Sequence, residues 1–258
     1  MTIRYTKYMK PCLLLLIFFI LPSFSYSQST TAVNSDLLID RAAELCRTRY
    51  LDINRVYESL KILEDIVKAE PSNYRANYEL SRVNYVIGAM QKLKNEKLKY
   101  FNEGVRYGKK AISISSGSLH CHLWYAVNFG KIHDEKNNVT SVFAISELRR
   151  EMDFVLHIEP DNTIALLTKA MMFFRLPGFL GGNTGKAIEG IKNVLRIDPD
   201  YTIAYLYLGE IYVKKKDYKN AEAVFKKMLE VKKPTYEADF ILNDSPAALK
   251  HLEELKTK

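Results

Sequence analysis

The clearest pattern of hydrophobic and polar positions lies between Thr202 and Thr235. Apolar residues recur there every three to four positions in two segments, which is the spacing of two amphipathic helices. Small and aromatic residues occupy fixed places in the pattern: Tyr205, Leu208, Gly209, Tyr212, Ala221 and Phe225. Gly209 and Ala221 allow two helices to approach closely, and the aromatic rings fill the space to the next pair. The stretch therefore predicts a helical hairpin that packs on a neighbouring hairpin.

Earlier parts of the chain predict similar hairpins, separated by short polar segments that end one helix and cap the next. These segments are Glu70–Asn73, Ser115–Ser118, Glu159–Asn162 and Asp198–Tyr201. The predicted hairpins span residues 35–69, 73–114, 119–158, 163–197 and 202–231, and residues 246–256 form a capping helix. No stretch of useful length alternates as a strand does. We therefore predict one all-α domain, residues 28–258, built as an α-solenoid of about five hairpins with a C-terminal capping helix.

The spacing in the last hairpin resembles the tetratricopeptide (TPR) repeat, a helix–turn–helix unit of about 34 residues. In this family, inward positions of each first helix form a concave groove that binds a partner. Carried onto this chain, the groove residues are Arg75, Tyr78, Arg82, Tyr85, Tyr125, Phe129, Leu167, Met171, Phe174, Leu206 and Glu210. In the third hairpin this register also turns Lys131 inward.

The predicted groove is basic and aromatic at one end and apolar at the other. Arg75 and Arg82 are seven residues apart, and burying two unpaired guanidinium groups would be costly, which favours a binding role. The groove suits a partner helix, or a small ligand with an acidic head and an apolar body. For hairpins four and five the alternative is that the apolar positions are simply core.

The first 27 residues have the organisation of a secretory signal peptide. Three basic residues precede an unbroken apolar run from Cys12 to Leu21, and Ser25–Ser27 provides a small-x-small cleavage signal. The run is short for a membrane span, whose hydrocarbon core is about 30 Å thick. We expect an exported protein, periplasmic or secreted; the alternative is an uncleaved leader that anchors the chain to a membrane.

The balance of charges argues against a nucleic-acid partner, and the cysteine positions argue against a disulfide. Without the leader the chain carries 35 basic and 30 acidic residues, too balanced for nucleic-acid binding. Between Lys92 and Lys110 the lysines are interleaved with Glu96 and Glu103, as on a solvated helix face. We place the remaining cysteines, Cys46 and Cys121, two hairpins apart and expect two buried free thiols.

No motif predicts catalysis, a cofactor or a metal. Residues 176–187 look like a phosphate loop, but Leu180 stands where the pattern requires glycine and Ala187 where it requires serine or threonine. We expect a structural turn whose glycines allow positive φ, with Phe179 and Leu180 tucked against the neighbouring hairpin. His120 and His122 lie on different sides of a helix, so they do not predict a zinc site.

Two segments extend the resemblance: Trp124–Gly130, and Leu176–Gly182 leading into Lys186 and Ala187. They resemble the periplasmic T component of bacterial TRAP transporters and the regulator of microtubule dynamics family. The first resemblance implies an accessory role in solute transport, with helical hairpins around an apolar cavity. We thus expect a non-catalytic scaffold that binds a protein segment or an amphipathic ligand; the transporter role is the alternative, and self-association is left open. An enzyme would require His122 and a carboxylate in a deep polar cleft.

Overall fold

The computed structural model describes the backbone of residues 25–136 and 142–258, and side chains from residue 35 onward. Within these ranges the chain is helical and contains no strand. The predicted leader lies almost entirely outside the described residues, and the first described helix begins at Ser25.

Helices that follow one another along the chain form antiparallel pairs. The first helices of the pairs are α1 (Ser25–Arg47), α3 (Tyr74–Met90), α5 (Leu119–Glu135), α7 (Thr163–Arg175) and α9 (Thr202–Lys214). The second helices are α2 (Asn54–Ala69), α4 (Lys94–Ile114), α6 (Val142–Ile158), α8 (Thr184–Ile197) and α10 (Tyr218–Leu229). Each helix packs on its neighbours in the chain, and α3 also packs on α1 and α5. This arrangement confirms the predicted all-α, TPR-like solenoid.

Local capping accounts for several of the helix starts. The side chain of an Asn or Asp accepts a hydrogen bond from the backbone N–H three residues later. The pairs are Asn73 with Ala76 (3.0 Å), Asn162 with Ala165 (3.0 Å), Asn183 with Lys186 (2.9 Å) and Asp217 with Asn220 (3.3 Å). Because such a bond satisfies an N–H that has no partner within the helix, these positions determine where each helix begins.

The core follows the solenoid as a series of clusters between adjacent hairpins. One cluster joins α1, α2 and α3 and includes Cys46, whereas another joins α9, α10 and the C-terminal helix around Phe225. Cys46 and Cys121 are both buried free thiols, which confirms that prediction.

A buried polar network determines how α5 is rotated about its own axis. The hydroxyl of Ser81 on α3 donates to the carbonyl of Gly104 on α4 (2.7 Å), and the Asn128 amide donates to the carbonyl of Ser81 (2.9 Å). The helices are close here, because a Cβ at Gly108 would lie only 2.8 Å from the Cα of Tyr125. Asn128 and Tyr125 therefore face α4, and the opposite side of α5 faces the inside of the solenoid.

The turn between α7 and α8 differs from its prediction. Gly181 has φ of 91°, so the expected positive φ is present. The side chain of Phe179, however, does not tuck against the neighbouring hairpin but is exposed to solvent. The N–H of Asn183 bonds the carbonyl of Phe173 (2.7 Å), so the backbone closes the turn without help from the Phe179 ring.

The chain after α10 crosses the concave side of the solenoid. It forms a short turn of helix, α11 (Glu237–Asp239), then a π-helical turn (Phe240–Asp244) and α12 (Ser245–Leu255), which packs on α10. The buried guanidinium of Arg49, just after α1, pairs with Asp239 of α11. The last segment thus returns to the first hairpin, and the concave side becomes a cavity rather than the predicted open groove.

Candidate functional site

A large cavity occupies the concave side of the solenoid. Its volume is about 910 Å³, and its walls come from α1, α3, α5, α6, α7, α9 and the 234–244 segment. Cavities of about 300–1,000 Å³ are typical of sites for small organic ligands.

One side of the cavity is apolar. Trp124 and Val127 of α5 face it together with Leu148 of α6 and Leu167 and Met171 of α7. The Trp124 ring lies 5.8 Å, between centroids, from the ring of Tyr85 on α3. Aliphatic and aromatic side chains of this kind suit the hydrocarbon part of a ligand.

A single ammonium group faces the same cavity. Lys131 of α5 lines it with the phenols of Tyr207 and Tyr85. The pKa of Lys131 lies above its ordinary value, chiefly because of the neighbouring Tyr207 and also because of Tyr85 and Asp134. Burial and the positive charge of Arg175 lower this pKa, but their effect is smaller. Lys131 forms no ion pair with a carboxylate among the residues that the structure describes. The group is therefore a charged donor without a fixed counter-ion, located where the cavity meets a neighbouring depression.

A buried carboxyl group, that of Asp244, also lines the cavity. The hydroxyl of Thr202 donates to Asp244 (2.7 Å), and both residues line the cavity. Burial raises the pKa of Asp244 to about 7, against the effect of the Thr202 hydrogen bond, which favours the ionised form. Asp244 ends the π-helical turn, a local conformation that often occurs at functional positions.

The cavity adjoins a smaller, polar depression, which we call the mouth, and the two share Lys131, Asp134 and Arg175. The mouth has a volume of about 690 Å³ and is lined by Lys94, Lys131, Asp134, Glu135, Phe174, Arg175 and Lys214. Asp134 pairs with Arg175, and Glu135 pairs with Lys97 at 2.9 Å. Lys94, Lys131 and Lys214 form no ion pair with a described carboxylate, so the mouth carries an excess of positive charge.

Five predicted groove residues line the cavity: Arg82, Tyr85, Phe129, Leu167 and Met171. Arg82 is not a free cation, because its guanidinium binds Glu79 (2.7 Å) within the same helix. Burial raises the pKa of Tyr85 to about 12, so its phenol remains neutral at physiological pH.

The other six predicted groove residues lie outside the cavity: Arg75, Tyr78, Tyr125, Phe174, Leu206 and Glu210. Arg75 bridges Asp36 and Asp40 of α1. Tyr125 packs against Gly108 of α4, and its hydroxyl reaches α6, where it donates to Glu147 (2.7 Å). Leu206 is buried in the core beside α10.

Tyr78, Glu210 and Phe174, the remaining three, contact side chains that do not line the cavity. The Tyr78 ring is tilted against the ring of His120, with centroids 5.3 Å apart, and Glu210 lies 3.6 Å from His251. Phe174 reaches the mouth, where the Lys214 ammonium lies 4.8 Å from its ring centroid. Packing between neighbouring hairpins, rather than a shared groove, determines these positions.

The predicted register turned Phe129 and Lys131 of α5 inward, as in the structure, but it missed Trp124, Val127 and Asp134 and wrongly placed Tyr125 in the groove. Trp124, Val127, Lys131 and Asp134 line the cavity and follow one another at spacings of three, four and three residues. This is a helical face in its own right. The signal was available in the inward placement of Lys131, since a lysine in an apolar wall indicates a polar ligand more readily than core packing.

His122 does have a carboxylate partner, but the pair does not lie in a cleft. Its Nδ1 lies 2.5 Å from Glu151, and its Nε2 lies 2.9 Å from the carbonyl of Ser116. Burial lowers the pKa of His122, but these two partners outweigh it and the net direction is upward; the pKa of Glu151 is lowered because His122 and Arg150 outweigh burial. Neither His122 nor Glu151 lines the cavity or the mouth, so the pair stabilises the contact between α5 and α6.

No group of His, Cys, Asp and Glu in the described ranges has the geometry of a metal site. None of the described helices combines the length and apolar character that a membrane span requires.

Two parts of the chain match known protein families. Residues 39–173 match the family described as "Regulator of microtubule dynamics protein 1-3", and residues 181–237 match a tetratricopeptide repeat family. Regulator of microtubule dynamics protein 2 of Rattus norvegicus is 21% identical over 137 residues, which cover 46% of this chain and 32% of the rat protein. The match thus spans about a third of the length of that relative.

Solved structures share the fold at low sequence identity. A thermophilic TPR protein of Thermus thermophilus is 16% identical with a TM-score of 0.60, covering 84% of this chain and 99% of its own. A tetratricopeptide repeat protein from Parabacteroides merdae is 15% identical with a TM-score of 0.58, covering 90% and 75%. The type IV pilus biogenesis factor PilW is 19% identical with a TM-score of 0.54, covering 87% and 93%.

Proposed function

Because this chain belongs to the regulator of microtubule dynamics 1–3 family and has a TPR-type scaffold fold, we propose that it is a non-catalytic protein that binds an amphipathic ligand. The ligand would place an anionic head against Lys131 and an apolar body along Trp124 and Val127. A small ligand is favoured over a helix of a partner protein, because the 234–244 segment crosses the concave side and leaves a cavity there.

The observation that carries the proposal is the Lys131 ammonium without a counter-ion beside an apolar wall. Lys131 is partly buried, and an anionic head would supply the charge-assisted hydrogen bonds that its ammonium lacks. The Tyr85 and Tyr207 phenols are placed to donate to the same head. The aliphatic wall would cover a chain whose burial contributes about 0.8 kcal/mol for each methylene.

The chain's single tryptophan, Trp124, provides a direct test because it lines the cavity. A fatty acid that carries a dansyl group should quench Trp124 and accept its energy on binding. In Lys131→Met the Kd for this acid should rise about 10- to 100-fold, since a hydrogen bond to a charged group contributes about 1.5–3 kcal/mol.

Two controls make the test specific to the acidic head. Lys136→Met removes an exposed lysine at the end of the same helix and should leave the Kd unchanged. The methyl ester of the same probe should bind wild type and Lys131→Met equally. If wild type binds acid and ester with the same Kd, the head-group assignment fails; if neither probe quenches Trp124, the cavity is not a ligand site.

The predicted export of the chain is retained as part of this proposal and rests on the leader pattern. The resemblance to TRAP T components stays a prediction. Genes for a TRAP permease beside the gene for this chain would support it, and their absence from related genomes would count against it.

A further inference from the structure

The described turns inside the second, fourth and fifth hairpins meet at one edge of the solenoid, together with the end of α5 and the start of α6. Antiparallel pairing brings the end of each first helix and the start of each second helix to the same side. The mouth shows this convergence, because it is lined by the start of α4 and by the ends of α5, α7 and α9. We call this side the turn edge and define it by residues 91–94, 142–143, 174–181 and 214–217.

Large apolar side chains protrude from the turn edge. The exposed fractions are 64% for Leu93, 69% for Val142, 67% for Phe143 and 87% for Phe179. A single exposed apolar residue is ordinary, but several of them along one edge indicate an interaction surface. They stand at the tips of separate turns, so they form an array of protrusions and not a groove for one helix.

Positive charge surrounds these tips. Lys92 and Lys94 flank Leu93, and Lys214, Lys215 and Lys216 form the turn between α9 and α10. All five are exposed, and none pairs with a carboxylate among the described residues. The opposite edge, where one hairpin passes to the next, carries both signs of charge: the exposed Lys232 and Lys233, and the acidic residues Glu70, Glu159, Asp161, Asp198 and Asp200.

We propose that the turn edge docks on an anionic lipid surface. The lysines would lie among the headgroups and the apolar tips would enter the boundary with the acyl chains, as in peripheral proteins that combine both kinds of side chain. The mouth opens on this same edge, so a docked chain would present the entrance of its cavity to the bilayer. Docking on a membrane does not require that the cavity binds a ligand. Leu93, Phe143 and Phe179 are exposed whether or not the cavity is filled.

Hydrogen–deuterium exchange of the full chain with vesicles tests the orientation. The vesicles contain equal parts of phosphatidylcholine and phosphatidylglycerol, and pure phosphatidylcholine vesicles serve for comparison. Exchange should slow in residues 91–94 and 214–217 with the anionic vesicles, and not around Asp161 or Asp200 on the opposite edge. A local readout is needed because the apolar run of the leader could bind vesicles by itself.

Matched variants separate this surface from non-specific attraction. Lys214→Glu with Lys215→Glu should reduce the protection, by about fivefold in vesicle affinity for each lysine lost. Lys232→Glu with Lys233→Glu makes the same charge change on the opposite edge and should have no effect on it. Leu93→Asp should also reduce the protection, whereas Leu249→Asp on α12 should not.

Three results would overturn the proposal. The first is protection of the opposite edge, or of neither edge, by anionic vesicles. The second is equal protection by pure phosphatidylcholine. The third is protection of the turn edge that appears without vesicles as protein concentration rises, since the edge would then be a contact between copies of this chain.

Discussion

Replacing Phe225 by alanine should lower the free energy of unfolding by about 3–5 kcal/mol, the range for large-to-small changes in a packed core. The ring is fully buried between α9, α10 and α12 and stacks on His251, with centroids 5.0 Å apart. Urea unfolding followed by circular dichroism measures the change. Phe179→Ala is the control: that ring is exposed, and its loss should shift stability by no more than about 0.5 kcal/mol.

The Phe225 ring packs directly against Gly209 of α9, which has no side chain to obstruct it. A Cβ added at Gly209 would lie only 2.2 Å from the Phe225 ring, so Gly209→Ala should destabilise by about 1–3 kcal/mol even though alanine favours helices. In the double variant the new methyl group enters space that the ring has left. The double variant should therefore be more stable than the sum of the single changes predicts, by about 1 kcal/mol. Strict additivity would contradict the proposed contact.

The second large effect concerns Asp244 and pH. Its pKa is about 7 in the folded chain, whereas an unperturbed aspartate has a pKa of about 3.9. Between these values the folded protein retains a proton that the unfolded chain has released, so stability decreases as pH rises from about 4 to about 7. Above that window the ionised carboxylate is buried with one hydroxyl donor, Thr202, and the stabilisation from proton binding is lost.

Asp244→Asn should remove this pH dependence. The amide has the same shape, remains neutral and can still accept the hydrogen bond from Thr202. At pH 8 the variant should be more stable than wild type by on the order of 2–4 kcal/mol, and at pH 4 the two should be nearly equal. Thermal unfolding across this range provides the measurement.

Asp161→Asn is the matched control for this experiment, because it makes the same substitution at an exposed position. It should leave the pH profile of wild type unchanged. A wild-type profile that is flat between pH 4 and 8 would show that Asp244 is not held as the neutral acid.

The comparisons confirm the TPR superfamily and the resemblance to the regulator of microtubule dynamics family. The residues on which this prediction rests make contacts with near neighbours in the sequence. Gly209, Ala221 and Phe225 specify how two adjacent helices pack, and Asn73 and Asn162 specify where helices start. Each of these contacts joins residues that are close in the chain, so a pattern of spacing is enough to reveal them.

The candidate site depended on contacts that no such pattern contains. The rotation of α5 follows from the approach of Gly104 and Gly108 to α5 and from the Ser81–Asn128 hydrogen bond, which together turn Lys131 and Trp124 inward. The predicted register had placed Tyr125 inward. Both sides of α5 are apolar enough to be buried, so amphipathic periodicity alone was unable to choose between them.

By itself, the sequence determined the helices, their pairing and the family, because neighbours in the chain make those choices. Only the tertiary structure decided that the concave side is a partly open cavity with a basic mouth. That outcome depends on the path of the last segment, where Asp239 meets Arg49 across a separation of 190 residues. The distance between Arg49 and Asp239 depends on the curvature of the whole solenoid. That curvature is the sum of small rotations between five hairpins, and no single position in the sequence encodes it.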